Sequence, residues 1–479
     1  MRKITILLLL ISFTFSLFAC EKSKSVGLKI SYDITAELQE NYTLNASQTV
    51  TVENGENYAL SSLYFTLYTK AFEEGATVKP YYKSSETALF PNGISYGKTE
   101  ITKIKIDGKD APYEIDGITL KVGLEKPLNT GETVSVYIEY SLILPNANHR
   151  YGYGNNTVNL SGFYPVLCVL ENGKYYESEY YPAGDPFYTQ ASNFKVSFTV
   201  PSEYSVASSL SPTGVEWQGG VTTYNYERQN ARDIALVLGK DFKILKDTVN
   251  GKAVSYYYFN DENPRKSLKT ACDSLAYFEN LFCPYPYSEY TVCQADFLYG
   301  GMEYSGLSLI SASAGDYSSY VIAHETAHQW WHGIVGFNES EHGYLDEGLT
   351  ELSASLYMDY AKEKPYESYL NEAKNEYAEI RRALILNGIT TPPVMQRNLK
   401  YFSSELEYVM IAYNRSFIAL NEVKNFTGNK RFFKLLSAFA KKYSFKNAKP
   451  EDFIEMANKV KRGAGEIVKE YASGERVVK

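Results

Sequence analysis

Residues 324–328 read His-Glu-Thr-Ala-His. On a helix, positions i and i+4 lie on one face a turn apart, so the His324 and His328 imidazoles can reach a single ion. Glu325 is turned about 100° from His324, beside such an ion and not on it. That is where a general base for a metal-activated water belongs. His332 continues the i, i+4 series. Three ligands on one straight helix would span about 12 Å of rise, too far for one ion with bonds of about 2 Å. His332 therefore reads as a packing or surface residue. His342 sits in a loop with no partner at ligand spacing.

A catalytic zinc site needs a third protein ligand and an open fourth position. Glu347 lies 19 residues after His328, in Leu345-Asp346-Glu347-Gly348. The gap lets a first helix end near Gly333 to Gly336, a loop follow, and a second helix start against the first. This HExxH–x18–E spacing is that of the gluzincin peptidases. The wider string HETAHQWWHG…YLDEGLTE resembles the aminopeptidase N family, with Asp346 where the family usually has Asn. The resemblance implies one zinc ion held by His324, His328 and Glu347, with Glu325 as base. Glu351, one turn after Glu347, is either a hydrogen-bonding support for a ligand His or a plain surface residue.

Upstream, Tyr299-Gly300-Gly301-Met302-Glu303-Tyr304 resembles the family's GxMEN exopeptidase motif, with Tyr304 in place of the usual Asn. By that match Glu303 would hold the substrate's α-ammonium, and Gly300, Gly301 and Met302 would run along the substrate as an edge partner. Without the family, G-G-M-E is a glycine turn before a helix. The resemblance also implies a phenol for the developing oxyanion from a YEKG-like segment. Tyr413-Asn414-Arg415-Ser416 occupies that place, 66 residues after Glu347, and Tyr408 is its rival. The strings YYPAGDPFYTQASNFKVSFTVP and FFKLLSAFAKKYSFKNAKPEDF are also similar to family segments. Few residues follow the last recognisable catalytic helix, which implies a short form without the family's C-terminal helical domain. The implied activity is removal of N-terminal residues from peptides. A gluzincin endopeptidase and a non-catalytic, peptide-binding surface lipoprotein are the alternatives.

These side chains need a scaffold. A chain of 479 residues is too long for one ordinary core, so two or three domains are expected. From 27 to 247 the pattern alternates, as in VSVYIEYSLIL and FKVSFTVPS, with Asn54-Gly55, Asp107-Gly108 and Asn172-Gly173 as turns. This predicts an N-terminal antiparallel β domain, saddle-like by the family resemblance. Residues 248–479 are expected to form a thermolysin-like, mainly α-helical zinc catalytic domain, α+β in overall class. Helices are predicted at 267–282, within 317–336 around the metal motif, and near 346–361, 366–385, 405–425, 430–443 and 450–461. Asp346 is a candidate to start one of them, and Pro450 suits a first helical turn.

A formal charge of −8 leaves no basic surplus to neutralise phosphates and argues against nucleic acid as a partner. Arg2 and Lys3 precede a largely apolar run from Ile4 to Phe18, suited to secretion and too short to span a bilayer comfortably. Leu17-Phe18-Ala19-Cys20 resembles a bacterial lipoprotein box. It implies a signal peptide over 1–20, a lipid on Cys20, a tether over 21–26 and attachment to the cell envelope, with ordinary secretion as the alternative. Cys168, Cys272, Cys283 and Cys293 match no zinc knuckle. A disulfide among the last three and free buried thiols are both open readings.

Overall fold

The structure is a computed structural model that describes residues 27–390 and 392–478. Cys20 and the predicted leader and tether lie outside the described residues.

Alternation becomes sheet as expected. Leu28–Leu38 and Thr133–Ile143 bury every second side chain, and they belong to an eight-stranded sheet. Its order runs Ser211–Gln218, Val221–Ala231, Ser192–Pro201, Leu28–Leu38, Thr43–Asn54, Thr133–Ile143, Lys98–Ile106, Lys109–Asp110. The pairing is antiparallel except between Leu28–Leu38 and Ser192–Pro201, which run parallel with Ser31 opposite Asn193. Two four-stranded sheets and the two-stranded pair Leu170–Glu171 with Lys174–Tyr175 complete this N-terminal β part among the described residues.

A five-stranded sheet then carries the rest. Its order is Lys243–Val249, Lys252–Tyr258, Glu289–Ala295, Leu307–Ser311 and, at the edge, Gly301–Tyr304. The edge strand is antiparallel to its neighbour, with Glu303 opposite Ser308. Period-2 geometry makes this sheet serve two cores. Tyr290, Val292 and Ile310 face the helices. Cys293, Ala295, Met302, Tyr304, Leu307 and Leu309 face the N-terminal β part and join its core. On the edge strand, Gly301 and Glu303 are thereby turned toward the helices.

The motif helix, Ser318–His328, gives way to a wide π-type turn over Gln329–Ile334, and the ligand helix follows at Glu339–Tyr360. The ligand helix begins earlier than expected and is kinked at His342, so Asp346 does not start it but sits well inside. Tyr366–Leu386, Asn429–Lys442 and Pro450–Val460 match the predicted helices closely, Pro450 in the first turn. The expected helix over 405–425 is broken into Glu405–Tyr408, a π-type stretch Val409–Arg415 and Ser416–Thr427. One further helix, Ala464–Ala472, buries Ala464, Ile467, Val468 and Tyr471. Cys168, Cys272, Cys283 and Cys293 are all buried and unbridged.

Candidate metal centre

The motif helix is held between the five-stranded sheet and the helix Pro264–Leu281, with Ile322, Ala323 and Ala327 fully buried. Tyr290 pins it to the sheet: its hydroxyl lies 2.9 Å from Thr326 Oγ1 and 2.8 Å from Ser308 Oγ. Ser308 Oγ in turn donates to the Glu325 carbonyl at 3.2 Å. Trp330 and Trp331, at the wide turn, are completely buried and donate to the Cys283 carbonyl and Ser353 Oγ. Together these contacts fix the pitch and depth of the helix.

His324, His328 and Glu347 converge. The two Nε2 atoms are 3.1 Å apart, and each is 3.4 Å from Glu347 Oε2. Ligands with bonds of about 2.0–2.1 Å to a tetrahedral ion stand about 3.3 Å from one another, so the three atoms form one face of such a tetrahedron. Glu347 Oε2 is buried and has no hydrogen-bond partner, as expected of an atom meant for an ion. The other nitrogen of each ring faces a carboxylate. His328 Nδ1 is 2.9 Å from Asp346 Oδ1, with Thr350 Oγ1 at 3.2 Å. His324 Nδ1 is 3.1 Å from Glu351 Oε1, and Glu351 also accepts from the Tyr320 hydroxyl at 2.5 Å. Carboxylates at Nδ1 leave both Nε2 lone pairs directed at the shared point.

Electrostatics agree with the geometry. Burial works against charge on His324, yet Glu347 and Glu351 lift it to about 10. Burial likewise opposes a proton on His328, but Glu303 and Asp346 raise it well above the usual range. Burial alone would raise Glu347, and the two imidazoles instead hold it down to about 2. Buried carboxylates thus draw positive charge onto the ligand rings, and a divalent cation supplies that charge without protons. The donor set of two imidazoles and one carboxylate fits zinc.

Glu325 lines the cavity beside this triad, along with Gly300, Gly301 and Tyr413. Burial pushes its carboxyl up to about 7, against the charges of His324 and His328. Its side chain lies directly on the edge strand: a Cβ at Gly301 would come within 2.7 Å of Glu325 Cγ, so only glycine permits the approach. Tyr413 stacks on the His324 ring, and its hydroxyl donates to Glu347 Oε1 at 2.7 Å. Its rival Tyr408 also lines the cavity, with its ring over Gly184.

The segment that resembles an exopeptidase motif is divided. Gly300 and Gly301 form part of the cavity wall. Met302 turns to the opposite face and is buried in the other core, so it reaches the cavity only through its backbone. Glu303 is buried behind the wall, with a carboxylate oxygen within 4.8 Å of ligand atoms of Glu325 and His328. Burial pushes its carboxyl well above the usual range, opposed by His328.

Several supports were not evident in the sequence. Asp346 orients His328, a role that only its contact reveals. His332 is neither a ligand of the triad nor at the surface: it is 2% exposed and bridges Glu339 Oε1 at 2.7 Å and Asp233 Oδ2 at 2.6 Å. Arg150 pairs with Asp185 at 2.5 Å, and both line the cavity.

Comparison with known proteins accords with this geometry. The model of the Peptidase family M1 domain matches residues 266–473. Aminopeptidase M1-B of Oryza sativa subsp. japonica is 27% identical over 300 residues, 58% of this chain and 33% of that protein. Endoplasmic reticulum aminopeptidase 2 of Homo sapiens is 28% identical over 261 residues, 50% of this chain and 26% of that protein. The chain thus spans about a third or less of the length of these curated relatives. An M1 zinc metallopeptidase from Deinococcus radiodurans has the same fold over 95% of both chains, with TM-score 0.66 and 16% identity. Over residues 266–473 the chain is thus similar to the peptidase M1 family, and its His324, His328 and Glu347 form a group that could hold one metal ion.

Proposed function

We propose that this chain is a zinc-dependent aminopeptidase, hydrolysing the N-terminal residue from peptides. The observation that carries this is the three-atom face of His324, His328 and Glu347 opening beside a cavity of about 330 Å³ that Glu325 and Tyr413 also line. Zinc, when bound, lowers the pKa of a water and polarises the scissile carbonyl. Glu325, poised near neutrality by burial, takes the water's proton and delivers it to the leaving amine. Tyr413 turns its hydroxyl from Glu347 to the oxygen that gains charge. The Gly300–Gly301 backbone aligns the peptide as an added edge strand. Glu303, two residues beyond Gly301, is the carboxyl placed to receive a free α-ammonium at that end, the cation favouring its ionised form.

Two further facts favour an exopeptidase. The curated relatives are named aminopeptidases, and a Deinococcus radiodurans M1 mutant was crystallised with the tripeptide Tyr-Ser-Ala. Comparing a free-amine peptide with its N-acetylated twin tests the reading. Cleavage of the free peptide alone supports an aminopeptidase, and equal cleavage of both makes the enzyme an endopeptidase.

We also propose that Cys20 is lipidated and holds the enzyme at the cell envelope. Among the described residues no helix is long and apolar enough to cross a membrane. Replacing Cys20 with Ala should move the protein from the membrane fraction to the soluble one, and unchanged partitioning would refute the anchor.

A further inference from the structure

The cavity wall carries four carboxylates: Asp185, Glu325, Glu351 and Glu405. Three have evident duties. Asp185 is paired with Arg150, Glu351 is held by Tyr320 and His324, and Glu325 stands at the metal face. The Glu405 carboxylate has no hydrogen bond and no ion pair among the described residues; only its backbone carbonyl is engaged, by the Val409 amide. It opens the short helix Glu405–Tyr408, where a carboxylate suits the helix N-terminus. That need is already met by Glu407, which accepts from the Ser403 amide and hydroxyl and from Arg397. The Glu405 carboxylate is left half-buried on the cavity wall with no paired cation of its own.

Its surroundings suit a cation. Tyr299 and Tyr408 present rings to the same cavity. The Tyr299 hydroxyl is buried and unpartnered; burial raises its phenol, Arg150 opposes this and Glu405 adds to it. Aromatic faces beside a carboxylate attract ammonium and guanidinium groups. Among the described residues Arg150 is the one Lys or Arg side chain in the cavity lining, and it is already committed to Asp185. The space, about 330 Å³, is at the small end for ligand pockets and suits the side chain of a single residue.

We infer that Glu405, with Tyr299 and Tyr408, forms a subsite that selects a lysine or arginine side chain at the N-terminal residue of the substrate. This rests on the aminopeptidase reading, and the test separates the two. Zinc-loaded full-length protein is assayed with the coumarin amides of Ala, Met, Lys and Arg. Met matches Lys in length without charge. In the parent, kcat/KM for Lys and Arg should exceed that for Met by about tenfold or more. Glu405→Gln should collapse that ratio, Glu405→Asp should restore part of it, and Glu405→Lys should invert it. Thermal melting of each variant guards against a merely unfolded protein. Turnover of Ala and Met with no advantage for Lys or Arg, or a ratio unchanged in a folded Glu405→Gln variant, overturns the subsite and leaves the aminopeptidase standing. No turnover of any of the four amides overturns both.

Discussion

The contact between Asp346 and His328 allows a quantitative test of how the metal face is held. Both side chains are almost wholly buried, 2% and 1% exposed, and the acceptor stands 2.9 Å from Nδ1. Asp346→Ala leaves a buried ring N–H facing a methyl group, a loss of about 1–3 kcal/mol when no acceptor replaces it. Thr350 Oγ1, 3.2 Å from the same nitrogen, recovers part of this. The ring also loses the partner that sets its tautomer, so the deficit falls mainly on the metal-loaded state. Zinc affinity should drop by roughly 10- to 100-fold, or about 1.4–2.7 kcal/mol. Asp346→Asn keeps an oxygen acceptor and discards only the charge, so its loss should stay below about tenfold. Competition with a chromogenic chelator at near-neutral pH measures both. A folded Asp346→Ala protein that binds zinc as tightly as the parent would refute the orienting role. Equal losses in the two variants would show that charge, not ring orientation, is what Asp346 contributes.

Glu325→Gln should retain stoichiometric zinc and lose nearly all turnover, and appreciable activity in the metal-loaded variant would remove Glu325 from the proton transfer. Tyr413→Phe should lower kcat by roughly 10²- to 10³-fold with a smaller change in KM; an unchanged kcat would pass the role to Tyr408. Glu407 gives a pH signature. Burial would raise its carboxyl, but the Ser403 amide, Arg397 at 2.6 Å and the Ser403 hydroxyl together hold it below the usual 4.5. A depressed folded pKa gives stability that is present above the ordinary carboxylate range and lost as pH falls through the folded value. Glu407→Gln should therefore melt below the parent near neutrality and converge with it as pH falls beneath 4.5; a gap that persists in acid would contradict this.

The parts of the site legible in sequence are those whose geometry is local. His324, Glu325 and His328 are related by helical periodicity alone, and Glu347 by the length of one reversal between two helices. Asp346, Asp233 and Glu339 act through contacts that spacing does not encode: Asp233 lies 99 residues before the His332 it binds. Glu303 and Met302 were legible in principle. Read as a strand, period-2 alternation sends Met302 and Tyr304 to one face and Gly301 and Glu303 to the other, whereas a turn before a helix implies no sidedness. The helix Ala464–Ala472 was also within reach, because Ala464, Ile467, Val468 and Tyr471 follow helical spacing. The wide turn after His328 was not, since it depends on how Trp330 and Trp331 pack. The parallel pairing of Leu28–Leu38 with Ser192–Pro201 spans a separation that alternation cannot see.

The two-sided sheet beneath the metal face has a consequence for how the chain behaves as a whole. A fragment beginning at residue 248 would lose the first strand of that sheet and turn Met302, Tyr304, Leu307 and Leu309 out to solvent. It would also strip Asp233 from His332, leaving that ring with Glu339 as its one partner in a dry interior. Such a fragment would be an aggregation-prone half, not a minimal enzyme. Heating the intact protein should melt both parts in one transition, with the β part and the zinc ligands failing together.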